Sequence, residues 1–546
     1  MSYSSQADSR SELRDQILTF VRDLGHPVLL EGGSPFFDLA GNEWRLEVGF
    51  GKLLLEVWGR GRSVVRRVEA AEQEGNRLRL LAHRPGGAGR VLLEICELEE
   101  ARSAGGDDRV DRPEQDAAGQ RADERDLFER ELVAAIGHEF PGLSLDHVSH
   151  RSNREHSFSA CYTRGVARHR NLAWAFLGLS ELEGPAAAEN ALASGLIWLD
   201  WLRRSARRGK EPVVSGLKLF LPPEAVSVAA HRAAYLRSGV VQIFEWTPRD
   251  DRFYEIDLRD YGNVGTELTP HWRGVRLVER LRPLLHELLG ENLGRVRAFP
   301  SATGEALSLR VQGLQVARIE GRDPPRVHFG LEGETQLLDR STKAEFTAFV
   351  EKVLRLRRPG KPPDRSHPFY RLQPERWLES LLVEDVTRID AVFVPEHVYP
   401  QVPAFSGPAS PALSRGVIDI LGVIRDSSSR SHRLAVVELK LDEDLNLPLQ
   451  GLDYWLRVKW LQDRDQFRHV GYFTGLAPST APPVLYLVCP AFRFHSTTDR
   501  LLVYFHPSIR VVKVGINQRW REGVKILFRR TLELGGVQED AGTGDR

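Results

Sequence analysis

The chain lacks an excess of charge of either sign and contains no long apolar run. Its 546 residues include 75 basic and 75 acidic side chains, so the total charge does not point to nucleic acid, although a local basic groove would suffice. No apolar run approaches the roughly 20 residues that span a bilayer, and the polar N-terminus has no signal peptide. We therefore predict a cytoplasmic protein without a membrane partner.

Cysteine and lysine are also scarce. The three cysteines, Cys96, Cys161 and Cys489, are widely spaced and form no CxxC pair, which argues against a disulfide framework or a zinc site and favours a reducing compartment. Lysine occurs 10 times and arginine 65 times. A GC-rich genome explains this bias without any function, whereas a preference for arginine at phosphate contacts would give it one. Both explanations stay open.

A chain of this length is expected to form three or four domains. Strand and helix patterns predict an α/β multidomain protein that contains a tandem duplication of a β-rich module followed by an α/β module. The predicted boundaries are a β-rich module at 1–99, a disordered linker at 100–126, the first α/β domain at 127–262, a connecting helix and second β module at 263–364, the second α/β domain at 365–534, and a flexible tail at 535–546.

The duplication rests on five pairs of similar segments that occur in the same order. They are 44–61 with 307–323, 128–136 with 374–382, 164–178 with 415–440, 199–204 with 452–458, and 216–225 with 484–493. Similar α/β patterning without common descent is the alternative explanation.

Acidic residues interrupt two strongly apolar strands of the second α/β domain. Asp419 lies within GVIDILGVI, and Glu438 and Lys440 end the strand LAVVELK. Burying an acid costs several kcal/mol unless a metal ion or an ion pair compensates it. A plain ion pair between Glu438 and Lys440 is the structural alternative, but it does not explain Asp419.

The expected geometry favours a metal site. In a hairpin of two adjacent strands, Asp419 and Glu438 can project to the same side, and Glu438 and Lys440 share a face because they are two residues apart. Two carboxylates and a backbone carbonyl such as that of Leu439 form a hard oxygen site suited to Mg²⁺. The Lys440 ammonium would orient the nucleophile or counter charge on phosphorus.

Two predicted helices add polar groups to this site. Glu375 and Glu379 lie one turn apart in PERWLESLL, and Gln450 and Tyr454 lie one turn apart in the helix that follows the Glu438 strand. The glutamine and tyrosine can hydrogen-bond towards the lysine or a phosphate.

Together these residues resemble the PD-(D/E)XK nuclease superfamily, in its RecB-like branch with a QxxxY motif and with a NucS/EndoMS-like layout. The resemblance implies a restriction-endonuclease-like fold with a mixed central sheet flanked by helices. It also implies Mg²⁺- or Mn²⁺-dependent hydrolysis of DNA, with Asp419, Glu438, Lys440, Gln450 and Tyr454 in the motif. The helical acid of the family falls on Glu375, with Glu379 as the second choice. The chain departs from the family by having isoleucine before Asp419 and about twice the usual length.

The proposed first copy has lost these residues, which predicts an inert pseudo-nuclease that serves as a scaffold or DNA-binding half. Aligning the similar segments places Arg168, Phe176, Gly178, Ile197 and Trp201 at the positions of Asp419, Glu438, Lys440, Gln450 and Tyr454, respectively. Only Glu129 of the helical acid remains. An unrelated α/β domain is the alternative.

Four residues are candidates for nucleic-acid contacts. Trp58, Arg60 and Arg62 combine an aromatic ring with basic groups near a turn, although core packing explains Trp58 equally well. Arg457 lies on the QxxxY helix.

The sequence therefore predicts a metal-dependent DNA endonuclease that acts in DNA repair or in defence against foreign DNA. The alternative is a non-catalytic DNA-binding or complex-assembly protein that uses nuclease folds as interaction surfaces. RNA as a substrate, a homo-oligomer and a protein partner in a repair or defence complex are left open.

Overall fold

The computed structural model describes most of the chain between residues 3 and 532. The residues outside the description are 1–2, 32–33, 41–42, 50–51, 60–61, 84–89, 99–112, 154–155, 207–212, 261–263, 265, 267, 302, 322, 332–333, 361, 404–415, 427–430 and 533–546. By its internal contacts the chain divides into two compact units, Met1–Arg112 with Gln315–Val350 and Pro113–Leu314 with Glu351–Arg546.

The described helices and strands are numbered in chain order. The helices are α1 (Tyr3–Asp23), α2 (Pro113–Glu139), α3 (Pro185–Ala206), α4 (Pro223–Ala233), α5 (His271–Leu289), α6 (Lys343–Leu356), α7 (Pro368–Arg371), α8 (Pro374–Glu384), α9 (Leu447–Asp463), α10 (Gln466–His469) and α11 (Thr498–Leu502). The strands up to residue 255 are β1 (Pro27–Glu31), β2 (Ser34–Asp38), β3 (Glu43–Gly49), β4 (Lys52–Gly59), β5 (Arg62–Glu74), β6 (Arg77–His83), β7 (Arg90–Glu97), β8 (Ser144–Ser149), β9 (Tyr162–His169), β10 (Leu172–Leu179), β11 (Val213–Leu221), β12 (Val241–Glu245) and β13 (Tyr254–Glu255). The later strands are β14 (Arg297–Pro300), β15 (Ala306–Val311), β16 (Leu314–Glu320), β17 (Arg326–Leu331), β18 (Glu334–Leu337), β19 (Phe393–Pro403), β20 (Val417–Asp426), β21 (Ser431–Leu439), β22 (Val484–Pro490), β23 (Arg510–Ile516) and β24 (Ile526–Leu532).

An antiparallel seven-stranded sheet with the order β2-β1-β7-β6-β5-β4-β3 forms much of the first unit. Strand β6 shows why one face is covered: Leu78, Leu80 and Ala82 are buried, and the residues between them are partly exposed. Helix α1 places Ile17 and Val21 in the same apolar cluster. The β-rich N-terminal module is therefore present, with two strands, β1 and β2, that the sequence reading had not identified.

The predicted second β module is divided between the units. Strands β17 and β18 belong to the first unit, where Phe329 packs against Phe346 of α6 with ring centroids 5.4 Å apart. Helix α5 and strands β14 and β15 belong to the second unit. The boundaries 263–364 thus do not mark a compact body.

The predicted disordered linker at 100–126 is wrong in its second half. Residues 99–112 lie outside the description, but helix α2 begins at Pro113. The segment has few large apolar side chains, yet it continues into an anchored helix: Phe128 and Leu132 are buried, and the Arg125 guanidinium donates to both carboxylate oxygens of Glu183 at 2.6 and 3.1 Å. A charged helical turn can form when the turns that follow it are packed.

Two six-stranded sheets with the same topology lie in the second unit. Their strand orders are β8 to β13 and β19 to β24, each in chain order. In both sheets the first three strands pair antiparallel, the third, fourth and fifth pair parallel, and the sixth is antiparallel. A helix follows the third strand in each case, because a parallel pair requires a crossover connection. The mixed α/β layout predicted from the sequence is confirmed at this level.

The crossover helices approach their sheets through glycine. A Cβ atom at Gly195 of α3 would lie 2.7 Å from the nearest methyl group of Leu217 in β11. A Cβ atom at Gly451 of α9 would lie 2.7 Å from the nearest methyl group of Leu487 in β22. Gly195 also approaches Leu219, at 2.9 Å, and Gly451 also approaches Leu485, at 3.2 Å. Each glycine therefore lies over two alternate leucines of the neighbouring strand, which gives an anchor for comparing the two modules.

Equivalent residues of the two α/β modules meet each other. Leu236 and Phe505, each in the turn that follows the helix after the fourth strand, form a β-bridge. The Arg237 amide donates to the Tyr504 carbonyl at 2.8 Å, and the His506 amide donates to the Tyr235 carbonyl at 2.9 Å. Helix α3 packs on α11, and α9 packs on α4. The contacts are reciprocal, as a two-fold relation between the two modules would require.

A fully buried arginine lies at this interface. Arg232 of α4 is 2% exposed and contacts Glu189 of α3, donating to both its carboxylate and its carbonyl oxygen. Its Nε atom lies 3.7 Å from a carboxylate oxygen of Asp453 in α9. The arginine thus joins acids from both modules.

No helix in the described ranges is both long enough and apolar enough to cross a membrane.

Candidate metal centre

The register of β20 and β21 brings Asp419 and Glu438 together. Ile420 pairs with Val437 in this antiparallel hairpin, so the next pair along the register is Asp419 with Glu438. Directly opposite residues in such a pair have their Cβ atoms about 4.5–5.5 Å apart on one face. That face is the one covered by α9, because Leu434 and Val436, at the alternate positions before Glu438, belong to the same apolar cluster as Leu452.

The two acids differ in their partners. An Asp419 carboxylate oxygen accepts a hydrogen bond from the Leu439 amide at 2.9 Å. Glu438 is 1% exposed, and its Oε1 atom lies 3.3 Å from the Lys440 ammonium. Its Oε2 atom is buried and has no hydrogen-bond partner among the described residues. A buried carboxylate oxygen without a partner is energetically unfavourable, so this oxygen can accept a cation or a proton.

Helix α8 supplies two more acids at its N-terminal end, where Pro374 occupies the first turn. The Glu375 carboxylate is exposed and lies 3.4 Å from the Leu441 amide, immediately after the Lys440 position. Glu379 is 2% exposed and accepts a hydrogen bond from Arg376 at 3.0 Å. Glu375 therefore lies exposed at the end of β21, and Glu379 is buried one turn further along α8.

Gln401 of β19 was not among the site residues predicted from the sequence. The register of β19 with β20 places it opposite Asp419, between the pairs formed by Pro400 and Val402. Its amide donates to both oxygens of Glu379, at 2.9 and 3.1 Å, and its own oxygen accepts from Arg310 at 2.6 Å. Its φ of 52° is unusual for a residue other than glycine and indicates that the surrounding contacts fix it.

The polar residues of α9 also face the site. The Gln450 side-chain amide donates to the Tyr454 hydroxyl at 3.2 Å, as expected for residues one helical turn apart. Burial raises the pKa of Tyr454, and the negative charge of Glu438 raises it further, so the phenol keeps its proton. Gln450 and Tyr454 thus form a neutral hydrogen-bonded wall beside Glu438.

Burial and mutual repulsion raise the pKa values of the three buried acids of the site, Asp419, Glu379 and Glu438. Burial, together with the charge of neighbouring carboxylates, raises the pKa of Asp419 to about 6 and that of Glu379 to about 7. Complete burial, and then the charge of Asp419, raise the pKa of Glu438 well above its ordinary value. A divalent cation would favour the ionised forms and offset this repulsion.

Lys440 remains charged. Burial alone would lower its pKa, but the carboxylates of Glu438, Glu375 and Asp419 outweigh burial and raise it above the ordinary value. Lys440 is therefore a permanent cation and hydrogen-bond donor here, and it does not serve as a base.

The donor set suits Mg²⁺ or Mn²⁺. Asp419 and Glu438 offer hard carboxylate oxygens, one of them buried without a partner, and the Leu439 carbonyl lies between Glu438 and Lys440 in the chain. No group of three or more His, Cys, Asp or Glu side chains comes together in ligating geometry in the part of the chain that the structure describes. The predicted set contains two such side chains and a backbone carbonyl.

The first module can be compared position by position. Leu219 and Leu487 occupy equivalent positions in the fourth strands of the two modules. Leu219 lies three residues before Pro222, which follows β11, and Leu487 lies three residues before Pro490, which ends β22. Leu219 pairs with Leu177, and Leu487 pairs with Glu438. Leu177 therefore stands where the second module has Glu438. The register of β9 and the glycine anchors give the others: Arg164 for Asp419, Leu179 for Lys440, Ser194 for Gln450 and Trp198 for Tyr454.

These positions correct the alignment made from the sequence, which used Arg168, Phe176, Gly178, Ile197 and Trp201. Phe176 and Gly178 belong to the opposite face of β10, where Gly178 approaches Leu132 of α2. In α3 the correct register is shifted by three residues, nearly one helical turn. The first module thus lacks both carboxylates and the lysine at the equivalent positions.

A cation occupies the Asp419 position of the first module. Arg164 is buried, and its guanidinium lies 4.6 Å from the centroid of the Phe158 ring and 5.8 Å from that of Trp198. Burial lowers the pKa of Arg164, and the negative charge of Glu129 partly opposes this. A Glu129 carboxylate oxygen lies 2.7 Å from the Nδ1 atom of His150 and accepts a hydrogen bond when that nitrogen is protonated. The positive charge of Arg164 is therefore opposed by Glu129, a side chain of the same module.

Of the four side chains predicted to contact nucleic acid, the structure describes only that of Arg457. Arg60 and the side chains of Trp58 and Arg62 lie outside the described residues. Arg457 is 6% exposed, and its guanidinium donates to the Val264 carbonyl at 2.9 Å and contacts Asp453 at 3.4 Å. Its prediction as a DNA contact is corrected, because the guanidinium is buried in intramolecular hydrogen bonds.

A cleft of about 570 Å³ leads away from the site. Gln401 and Val417, the latter two residues before Asp419, line one end, and His271, Tyr399 and Tyr472 form an aromatic wall with ring centroids about 5 Å apart. Next to it, α5 exposes Trp272, which is 41% exposed.

The raised acid pKa values predict a pH-dependent stability in the absence of divalent cations. Between about pH 4 and the native pKa values near 6 and 7, the native state holds more protons than the unfolded state. Stability therefore falls as the pH rises through this window. Glu438→Gln removes one charge, so we expect a weaker pH dependence and a melting temperature a few degrees higher at pH 7.5 in EDTA.

The measurement is thermal unfolding of the wild type and Glu438→Gln between pH 5 and 8 in EDTA. Glu129→Gln, the helical acid of the first module, is the matched control and should follow the wild type. Equal slopes for the wild type and Glu438→Gln would show that the acids are not coupled as described.

Comparisons with models of known protein families, with curated proteins and with solved structures found no match to this chain.

Proposed function

We propose that the chain is a Mg²⁺- or Mn²⁺-dependent nuclease that hydrolyses DNA phosphodiester bonds at Asp419, Glu438 and Lys440. The observation that carries the proposal is the buried Glu438 carboxylate, which has one oxygen without a partner, stands opposite Asp419 and lies 3.3 Å from a charged lysine. A structural ion pair would leave neither a second acid nor an unsatisfied oxygen.

Each residue then has a distinct role. Asp419, Glu438 and the Leu439 carbonyl would hold the cation, which when bound polarises a phosphodiester oxygen and lowers the pKa of a water molecule. Lys440 donates hydrogen bonds to the phosphoryl oxygen that gains charge. Glu375, exposed at the mouth, accepts a hydrogen bond from the attacking water and orients it.

The surrounding residues position these groups. Gln401 fixes the Glu379 carboxylate, and Gln450 fixes the Tyr454 hydroxyl next to Glu438. Burial of Glu379 and Glu438 keeps bulk water from competing for the charged groups.

We further propose that the chain belongs to the PD-(D/E)XK group with a QxxxY motif, and that the two α/β modules are tandem copies. The shared strand order and directions, and the reciprocal contacts between Leu236 and Phe505, support a duplication. The first copy would be the inert half, because Arg164 and Leu177 stand in place of the two acids. Its pairing with the second copy would reproduce a dimer with one active centre.

The cleft beside the site is proposed as the path of the DNA strand. Arg273 and Arg276 flank Trp272, with their guanidinium carbons 5.5 and 4.9 Å from the centroid of its ring. An exposed aromatic ring between arginines suits a stacked base and its phosphates. The Gly471 backbone packs against Trp272 and holds this end of α5 against the second module.

We expect the double variant Trp272→Ala, Arg276→Glu to bind single-stranded DNA roughly tenfold to a hundredfold more weakly, because it loses a stacking surface and reverses a charge. The measurement is fluorescence anisotropy in EDTA, where no cleavage occurs. Arg282→Glu, exposed on the same helix but ten residues further along, is the control. Unchanged affinity of the double variant would place the DNA elsewhere.

The proposal is tested by incubating the full chain with single-stranded, double-stranded and branched DNA, and with RNA, in Mg²⁺ or Mn²⁺. We expect at least one DNA substrate to be cut and Glu438→Ala and Lys440→Ala to abolish cutting. If no substrate is cut, the chain is a non-catalytic DNA-binding or assembly protein. If both variants cut normally, Glu438 and Lys440 are not the catalytic centre. The proposed setting is DNA repair or defence in the cytoplasm, a reducing compartment in which the three free cysteines would stay reduced.

A further inference from the structure

A strongly basic pocket of about 330 Å³ is lined in part by Ser380 and Glu384 of α8. Its walls come from the segment that includes β14 and β15, from the end of α6, and from α8. The charged residues that line it are Arg295, Arg297, Arg310, Arg357, Arg358 and Glu384. Five arginines face one glutamate in a chain whose formal net charge is zero. The volume is in the range of small-ligand sites, roughly 300–1,000 Å³.

Arg357 is a lining residue of the pocket that is held in place by burial and hydrogen bonds. It is 1% exposed, and its guanidinium donates to the carbonyls of Phe369, Leu372 and Gln312 at 2.7, 2.7 and 2.6 Å. It also lies over the Trp377 ring, 4.5 Å from the centroid. No carboxylate is among these partners. Its Nε atom is buried without a hydrogen-bond partner among the described residues, so the site holds an uncompensated positive charge with a free donor.

The turn at Gly313 creates the enclosed shape. Its φ is 79°, and a Cβ atom there would lie 2.2 Å from the Arg376 carbonyl oxygen. Only glycine allows the chain to approach the start of α8 so closely. The neighbouring Gln312 accepts a hydrogen bond from the Ser380 hydroxyl at 3.0 Å, which secures the same contact. The pocket is therefore part of the packed structure and not a gap between loose side chains.

The charge balance indicates the ligand. Glu384 lies 3.4 Å from Arg297, and the five arginines and one glutamate of the lining together carry a formal charge of about +4. Arginine forms paired hydrogen bonds with phosphate oxygens. A terminal phosphate monoester carries about −1.5 to −2 charges at neutral pH, compared with −1 for a phosphodiester, so it gains more from this pocket.

We propose that this pocket binds a terminal phosphate group, either at the end of a nucleic-acid strand or on a free nucleotide. The binding itself is independent of catalysis. Its consequence for cleavage rests on the proposed nuclease function: Arg310 lines both the pocket and the DNA cleft, and it contacts Gln401, which holds Glu379. A phosphate anchored here positions the strand relative to Asp419 and Glu438.

The test measures binding to the full chain in EDTA, so that no cleavage occurs. The probes are one oligonucleotide with a 5′-phosphate, a 3′-phosphate or only hydroxyl ends, together with dTMP, thymidine and inorganic phosphate. The variant is Arg297→Glu, Arg358→Glu, which spares the buried Arg357, and its melting temperature is compared with that of the wild type. Arg249→Glu, at an 83% exposed arginine of the first module, is the matched control.

We expect the wild type to bind a phosphorylated probe about tenfold or more tightly than its hydroxyl counterpart. The double variant should lose this preference, and Arg249→Glu should keep it. If dTMP binds as tightly as the phosphorylated strand, the ligand is a free nucleotide; if the strand binds more tightly, it is a nucleic-acid end.

Equal binding of phosphorylated and hydroxyl probes by the wild type would overturn the proposal, as would an undiminished preference in a folded double variant. The outcome is separable from catalysis. A phosphate preference without cleavage of any substrate would leave the pocket standing and remove the nuclease function. Cleavage of DNA without a phosphate preference would leave the nuclease function standing and remove the proposed phosphate pocket.

Discussion

Replacing Lys440 by alanine is expected to lower the rate of DNA cleavage on the order of a hundredfold to a thousandfold, the loss typical of removing one donor to a developing oxyanion. The ammonium stays charged at neutral pH because Glu438, Glu375 and Asp419 raise its pKa. Its contribution is therefore a fixed charge and a hydrogen bond, which alanine cannot provide. Single-turnover cleavage of the best DNA substrate at saturating Mg²⁺ measures the effect.

The two modules provide a matched control. Glu375→Gln changes the exposed acid beside the catalytic strand and should slow cleavage, whereas Glu129→Gln changes the corresponding acid of the first module and should not. Both substitutions preserve size and remove one charge. A comparable loss in both variants would indicate a role for the first module in catalysis, and a normal rate for Lys440→Ala would remove the lysine from the mechanism.

Arg232→Ala is expected to have the largest effect on stability, lowering the free energy of unfolding by about 3–5 kcal/mol. The side chain is 2% exposed and lies between Glu189 of the first module and Asp453 of the second. Alanine would remove the arginine that contacts Glu189, leave Asp453 with Arg457 as its remaining cation, and open a cavity between the modules. Equilibrium unfolding in urea measures the loss.

Arg232→Met separates the effect of charge from that of packing. Methionine restores part of the volume but leaves Asp453, which is 6% exposed, without Arg232. We expect Arg232→Met to remain destabilised by more than half of the alanine effect. A loss below about 1 kcal/mol for both variants would contradict a stabilising role of this interface, because surface substitutions typically fall below that value.

The two strands that carry the candidate metal centre were predictable because their sequence is informative. An acid within a run of valine, leucine and isoleucine is costly to bury, so Asp419 and Glu438 stood out, and the two-residue period of a strand placed Lys440 on the same face. The helix period likewise related Gln450 to Tyr454, which the structure places 3.2 Å apart.

The contacts between distant segments were not predictable in the same way. Gln401 belongs to a strand with no distinct apolar pattern, and Arg310 is 91 residues away from it along the chain. Arg457 has the composition of a phosphate contact, but its burial follows from the packing of the second module. A single sequence does not encode which of its 65 arginines lie inside.

The alignment of α3 with α9 that the sequence predicts differs from the alignment in the structure by three residues. The repeated letters Leu-Asp suggested that Trp201 corresponds to Tyr454, but the close approaches at Gly195 and Gly451 show that Trp198 does. The two alignments differ by three residues, which nearly preserves the helix face, so the apolar pattern could not distinguish them.

Titration of the full chain with Mn²⁺, followed by electron paramagnetic resonance at pH 7.5, tests the central claim most directly. The account predicts that the wild type binds Mn²⁺ at a site that Asp419→Asn and Glu438→Gln each weaken by at least about tenfold, since each removes a charged ligand. Glu129→Gln should bind as the wild type does. Equal Mn²⁺ affinity in the wild type and in both acid variants would contradict a metal centre at Asp419 and Glu438.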